Sequence, residues 1–271
     1  MAKERKKSGK REPGSGKAKQ SPKRSGTRRP EADAPDGPGG FGADDRPAVV
    51  VTVDVVVLAL LDGALSVLLV ERERAPRSGQ WALPGTVVGP GEQLVTAATR
   101  AVAARTGVSV APGRLEQLAT FADPDRDPRT RVVTVGFVAV VERADPPAGG
   151  AVASGRWWPV EEAMAKQGRR LAFDHGVIVG RAIERLQVDL EQSDLGLGLI
   201  QEPFTLGDLR RAYEAVWGAP LEPANFRRKI LATPGFVEPT GGLRTVTTGR
   251  PAELYGRGVG VRLHPPLVRP R

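Results

Sequence analysis

Cysteine is absent from the 271 residues, which excludes disulfides, thiolate metal sites and cysteine nucleophiles. Its absence agrees with a reducing cytoplasm, the expected location. Only two histidines occur, His175 and His264, so a multi-histidine metal centre is not expected. The longest apolar run, Val49 to Leu61, is interrupted by Asp54 and is too short to span a bilayer, so no membrane partner is expected. The N-terminal residues lack the apolar core of a secretory signal, and their cations do not form the amphipathic stripe of a mitochondrial leader.

What is present suffices for two modest domains with tails, and a 40% hydrophobic content can build a core. The net charge of +9 is unevenly placed. Residues 1–30 hold twelve Lys or Arg against two acids, so the tail supplies +10 and the rest of the chain carries −1. Residues 1–46 have almost no large apolar side chains and are expected to be a disordered basic tail. A non-specific phosphate-binding arm and a solubilising leader both fit that composition.

After Arg46 the pattern changes. "AVVVTVDVVVLALL" reads as a buried strand, Asp62-Gly63 as a hairpin turn, and "LSVLLVERE" as the returning strand. Gln93 to Thr106 places Leu94, Ala97, Ala98, Ala101 and Val102 at helical spacing, and Gly107 supplies a stop. Arg131 to Arg143 reads as a strand, and "SGRWWPVEEA" as a short strand entering a helix. Phe173 to Gln192 reads as a helix with Val179, Ala182, Ile183 and Leu186 on one side. His175, at its start, is expected to cap or pack and is given no catalytic role. This order of elements makes an α+β domain over residues 47–192. "SDLGLGLIQEP" then punctuates the chain.

A second domain follows over residues 193–262, with residues 263–271 as a C-terminal tail. Thr205 and Asp208 form a capping-box pattern, and Leu206, Leu209, Tyr213 and Val216 make an apolar helix face. Gly218 and Pro220 end that helix, and Pro223 suits the first turn of another, with Phe226, Ile230 and Leu231 expected inward. With Phe226 at 0° and steps of about 100°, Ile230 falls near 40°, Arg227 near 100°, Leu231 near 140°, Arg228 near 200°, Asn225 near 260° and Lys229 near 300°. Asn225, Arg228 and Lys229 thus face outward, while Arg227 must snorkel from the apolar arc. Two helices, a tight turn and a short hairpin outline a winged helix-turn-helix. Asn225, Arg227, Arg228 and Lys229, with Arg244 and Arg250 in the wing, are the candidate DNA-binding residues, able to meet bases or phosphates of double-stranded DNA.

Between Thr86 and Val108 the chain resembles the Nudix box, G-x5-E-x7-R-E-U-x-E-E-x-G-U, aligned without a gap on Glu92, Arg100, Gly107 and Val108. "WALPG" and "FADPDRDPRTRVVTVGF" resemble the same superfamily, over roughly Ala48 to Gln192. The resemblance implies an α/β/α sandwich with a mixed sheet. Positions 101, 104 and 105 share one helix face, where active members gather carboxylates around Mg²⁺ or Mn²⁺. Here they are Ala101, Ala104 and Arg105, so no metal, cofactor or catalytic residue is expected. Either the helix merely packs, or Arg105 holds a diphosphate directly. Charges near the presumed cleft are Glu71, Arg72, Glu73, Arg126, Asp127 and Arg129. "DPDRDPRTR" resembles the loop near the ligand in ADP-ribose-binding relatives. Glu92, Arg105 and Arg129 are the candidate ligand-binding residues.

"AFDH", "FTLGDLRRAYEAVWG", "ANFRRKILATPGFVEP" and "GRPAELY" resemble NrtR-type regulators, which join a Nudix domain to a C-terminal winged helix. That resemblance implies a homodimer that binds operator DNA and senses ADP-ribose or a related metabolite. Two rivals stay open. One is a divergent pyrophosphohydrolase using Glu92 with Glu71 or Glu73 and Mg²⁺ or Mn²⁺. The other is a nucleic-acid adaptor dominated by its basic tail.

Overall fold

The computed structural model describes residues 48–142, 155–165, 171–245, 251–260, 262–264 and 266–270. The basic tail and Arg250 lie outside them. Strand β1 (Val50–Leu61) is central because both its faces are apolar. Val53, Val55 and Val57 pack on one side of the sheet, and Val56 and Leu58 on the other. Asp62 and Gly63, both at positive φ, turn the chain into β2 (Ala64–Glu71) with Leu61 opposite Ala64. The sheet runs β3 (Trp81–Ala82), β2, β1, β6 (Val132–Val140), β5 (Glu116–Phe121). β4 (Gly85–Val87) also pairs with β1, and β7 (Gly155–Pro159) with β2. Among the described strand pairs, only β1 and β6 run parallel, so the sheet is mixed, as expected.

Helix α1 (Leu94–Thr106) covers one face through Ala97, Ala98 and Val102, which let it lie close on Val53, Val55 and Phe137. It stops where Gly107 takes φ 71° and donates to Ala103 O. After the short α2 (Val160–Met164), helix α3 (His175–Asp189) covers the other face through Ile178, Val179, Ala182 and Leu186. The expected three-layer sandwich is therefore present. Among the described residues, no helix is long and apolar enough to cross a membrane.

The winged helix is also present. Helix α4 (Leu206–Trp217) opens on the expected capping box: Asp208 N donates to Thr205 Oγ1 at 3.1 Å, and Thr205 N to Asp208 Oδ2 at 2.8 Å. Helix α5 (Pro223–Leu231) is capped by Glu222, whose carboxylate accepts from Ala224 N and Asn225 N. Strands β8 (Val237–Arg244) and β9 (Ala252–Arg257) make the wing. The Tyr213 ring meets Trp217 and Phe226 edge-on at 5.2 and 5.4 Å.

Three features depart from the sequence expectation. Leu231 is 44% exposed, because a nine-residue helix buries a narrow arc centred on Phe226 and Ile230. "SDLGLGLIQEP" is not mere punctuation. Leu195–Leu199 form a buried 3-10 turn whose Gly196 lets the Tyr213 ring approach; a Cβ there would stand 2.5 Å from the ring. The C-terminal tail is tied back at two described points: Leu263 is buried, and Leu267 N donates to Glu191 O.

One apolar core consequently runs from the sheet and α3 into the winged helix, through Leu186, Leu190, Leu197, Val216 and Trp217. Gln187 adds a polar joint. Its side chain donates to Val216 O at 2.9 Å and accepts from Arg269 at 2.7 Å, while its carbonyl accepts from Trp217 Nε1 at 3.0 Å.

Candidate functional site

A cavity of about 650 Å³ opens at the end of the sheet where β1 begins. It is lined by β1, the end of β2 with the segment after it, the β3–β4 stretch, the α1 C-terminus, the β5–β6 loop with the start of β6, and the start of α3. Its floor is ionic. The Arg126 guanidinium, 5% exposed, donates to Asp174 at 2.9 and 2.7 Å and reaches Asp54 at 3.4 Å. Burying Asp54 inside an otherwise apolar strand requires such a partner. Gly85 leaves the room, since a Cβ there would stand 2.2 Å from Asp54 Oδ1.

His175 completes this floor. Its Nδ1 accepts from Leu83 N at 2.8 Å, so the neutral ring carries its proton on Nε2, which faces Asp54 Oδ1 at 3.7 Å. Burial holds the imidazole below its usual pKa, against the opposing pull of Asp54 and Asp174. His175 is thus a buried acceptor that fixes Leu83 N at the cavity floor.

The walls are cationic. Arg72 is anchored by Pro76 O and Arg74 O and lies 4.7 Å over the Phe173 ring. Arg129 forks onto Asp127 at 2.9 and 2.6 Å and lies 5.8 Å from the same ring. Phe173 adopts φ 55°, a backbone strain for a bulky residue. Burial, then Arg129 and Arg105, lower the Arg72 pKa. Arg105, in the last turn of α1, lines the cavity and has no hydrogen bond or ion pair among the described residues.

The other box positions do different work. Ala101 is buried in the α1–sheet layer, and Ala104 is exposed. Glu92, expected among the ligand contacts, does not line the cavity. Both its oxygens accept from Arg100 at 2.8 Å, and Oε2 also accepts from Gly89 N. Arg100 holds its carboxyl down at a pKa of about 2, with help from the Gly89 N–H. Arg100 further reaches Thr86 Oγ1 and Val87 O, so the pair ties α1 to β4. These residues do not fit the divalent cation of an active box. Ala101 and Ala104 have no donor, Arg105 is a cation, and Glu92 is committed elsewhere.

Asp54, Phe173 and Asp174 were not marked as site residues from sequence. Asp54 carried the clearest signal, a charge inside an apolar run.

On the winged helix, Asn225 and Arg228 are exposed and joined, Arg228 Nη2 donating to Asn225 Oδ1 at 2.9 Å. Lys229 is half-buried on the same helix. Arg227 does not snorkel from an apolar arc, because Leu231 is not inward. It stands at a groove between α4, α5 and the wing, 3.8 Å from Glu253. Arg244 donates to Asp208 at 2.7 Å and to Pro203 O at 2.9 Å, so it also clamps the wing to α4.

Comparison with known proteins agrees with this geometry. Residues 51–176 match the NUDIX domain family, and residues 196–256 match the NrtR DNA-binding winged helix domain family. The ADPR responsive transcriptional repressor NtrR of Acinetobacter baylyi is 33% identical over 218 residues, covering 79% of this chain and 84% of that protein. An ADP-ribose pyrophosphatase of Methanocaldococcus jannaschii is 30% identical over 125 residues, covering 46% of this chain and 70% of that protein. The crystal structure of Shewanella oneidensis NrtR complexed with a 27mer DNA superposes with a TM-score of 0.70 at 32% identity, covering 80% of this chain and 99% of that one.

Proposed function

The chain belongs to the NrtR family, in which a NUDIX domain precedes an NrtR DNA-binding winged helix domain, and from this premise we propose that it is a transcriptional repressor responsive to ADP-ribose. The NUDIX domain binds the metabolite without hydrolysing it, and the winged helix binds operator DNA. The observation that carries this reading is the cationic cavity of an otherwise intact box fold, built in one core with a winged helix. Asn225, Arg228 and Lys229 present an amide and two cations from α5 to the major groove, with Arg227 and Arg244 beside the wing. Two copies acting as a homodimer in the cytoplasm would read a two-fold symmetric site. ADP-ribose acts by binding the operator-bound and operator-free geometries with different affinity.

The test has two steps. Genomic fragments selected by the purified protein are sequenced, and the recovered site is then titrated with ADP-ribose in a fluorescence anisotropy assay. A recurrent palindrome whose affinity changes with ADP-ribose is expected. Salt-sensitive binding without sequence preference, or indifference to ADP-ribose, refutes the proposal. The rival hydrolase reading draws on Glu71 and Glu73, which line the cavity. It requires turnover of ADP-ribose to AMP and ribose 5-phosphate with Mg²⁺ or Mn²⁺, and we expect none.

A further inference from the structure

We propose that the effector's diphosphate is held without a metal ion, by the guanidinium groups of Arg105 and Arg72. This rests on the reading of the cavity as an ADP-ribose site and deepens it. A diphosphate diester brings two negative charges, and any site that takes it out of water must answer them. An active NUDIX box does so with divalent cations on helix carboxylates. On the same face of α1 this chain directs one charged side chain into the cavity, and it is a cation.

The accounting of partners leaves Arg72, Arg74 and Arg105, of which Arg105 stands on the box helix and Arg72 feels its charge. Arg126 is taken by Asp174 and Asp54, and Arg129 by Asp127. Arg72 donates only to carbonyl oxygens, and Arg105 to nothing among the described residues. Neither has a carboxylate within ion-pair distance; Glu71 and Glu73 are exposed at the rim and paired with neither. The cavity therefore holds cations that the protein leaves without a carboxylate partner, Arg72 and Arg105 among them, which can answer the two charges of a diphosphate. Burial, then Arg129 and Arg105, already disfavour the charged form of Arg72. An anion between Arg72 and Arg105 relieves that repulsion, whereas a divalent cation would add to it. Arg72 is pre-positioned by its carbonyl anchors and Phe173, so little of its freedom is left to lose on binding. Planar guanidinium groups match phosphate oxygens in pairs, which an ammonium does not.

Isothermal titration of the full chain with ADP-ribose, in EDTA and in Mg²⁺, tests the proposal. Wild type is expected to bind in EDTA, with no gain from Mg²⁺. Arg105→Ala should bind at least about tenfold more weakly in EDTA, as loss of a charge-assisted contact predicts. The double variant Ala104→Glu/Arg105→Glu changes two exposed positions, and circular dichroism checks its fold. It should lose binding in EDTA and regain it in Mg²⁺. Wild-type binding that needs Mg²⁺, an Arg105→Ala affinity equal to wild type, or a double variant that still binds in EDTA overturns the metal-free site while leaving the effector reading intact. No ADP-ribose binding by wild type under either condition overturns both.

Discussion

Replacing Arg126 by Met isolates the ionic floor of the cavity. The substitution keeps volume and stem length but removes the guanidinium that faces Asp54 and Asp174. All three side chains are at least four-fifths buried, at 5, 10 and 19% exposure, so solvent screens them little. Breaking a buried pair by removing one partner costs about 3–5 kcal/mol, mostly because the other charge is left uncompensated. For the roughly 225 residues of Pro47–Arg271, an unfolding entropy of about 2.1 cal/mol/K per residue converts this to a fall in Tm of about 6–11 °C. Differential scanning calorimetry at neutral pH reads it. The cause is separated from lost packing by the triple variant Arg126→Met/Asp54→Asn/Asp174→Asn, in which isosteric amides replace the stranded carboxylates. It should recover part of the loss. Equal Tm values for single and triple variants, or a single-variant shift under about 2 °C, would refute the argument.

Three further outcomes are expected. Glu92→Gln should lower Tm at neutral pH. The folded-state pKa is depressed from 4.5 to about 2, so the difference from wild type persists above about 4.5 and vanishes as the pH falls toward 2; a pH-independent difference counts against the Arg100 tether. Gly196→Ala drives a methyl into the Tyr213 ring and Leu190, costing about 1–3 kcal/mol by overpacking; chemical denaturation should show it, and an unchanged midpoint would mean the turn moves freely. Arg228→Ala should weaken binding to a selected DNA site by about 1–3 kcal/mol and relax preference at one base position, whereas a uniform loss with a shallower salt slope would make Arg228 a phosphate contact.

The sheet and its covering helices were legible because β1, β2 and β6 are apolar and buried, β1 and β6 largely β-branched, and α1 and α4 carry marked ends at Gly107, Thr205 and Gly218. Strand β5 was not read. "EQLATF" is an edge strand with exposed, charged positions and a register shift between Gln117 and Ala119, so alternation gives no clear signal. Leu195–Leu199 was misread because Gly is both a breaker and a place of close approach, and sequence does not tell which. The box alignment located Arg105 at the cavity, but it could not show that Glu92 is consumed by Arg100. The floor joins Asp54, Arg126 and Asp174, 72 and 48 residues apart across its two hydrogen-bonded pairs. Periodicity does not reach that far.

The core shared between α3 and α4 bears on how this chain is cut and recombined. Regulators often join folded parts through a tether, so that either part survives alone. A fragment ending at Gln192 would bare Leu186 and Leu190 to water, and its complement would bare Leu197, Leu199 and Trp217. Gln187 would also lose its bonds to Val216 and Trp217. Heat should therefore remove both halves in one endotherm. A chimaera that transplants the winged helix onto another scaffold must carry α3 from Leu186 onward, together with the Leu195–Leu199 turn, to keep that helix pair closed.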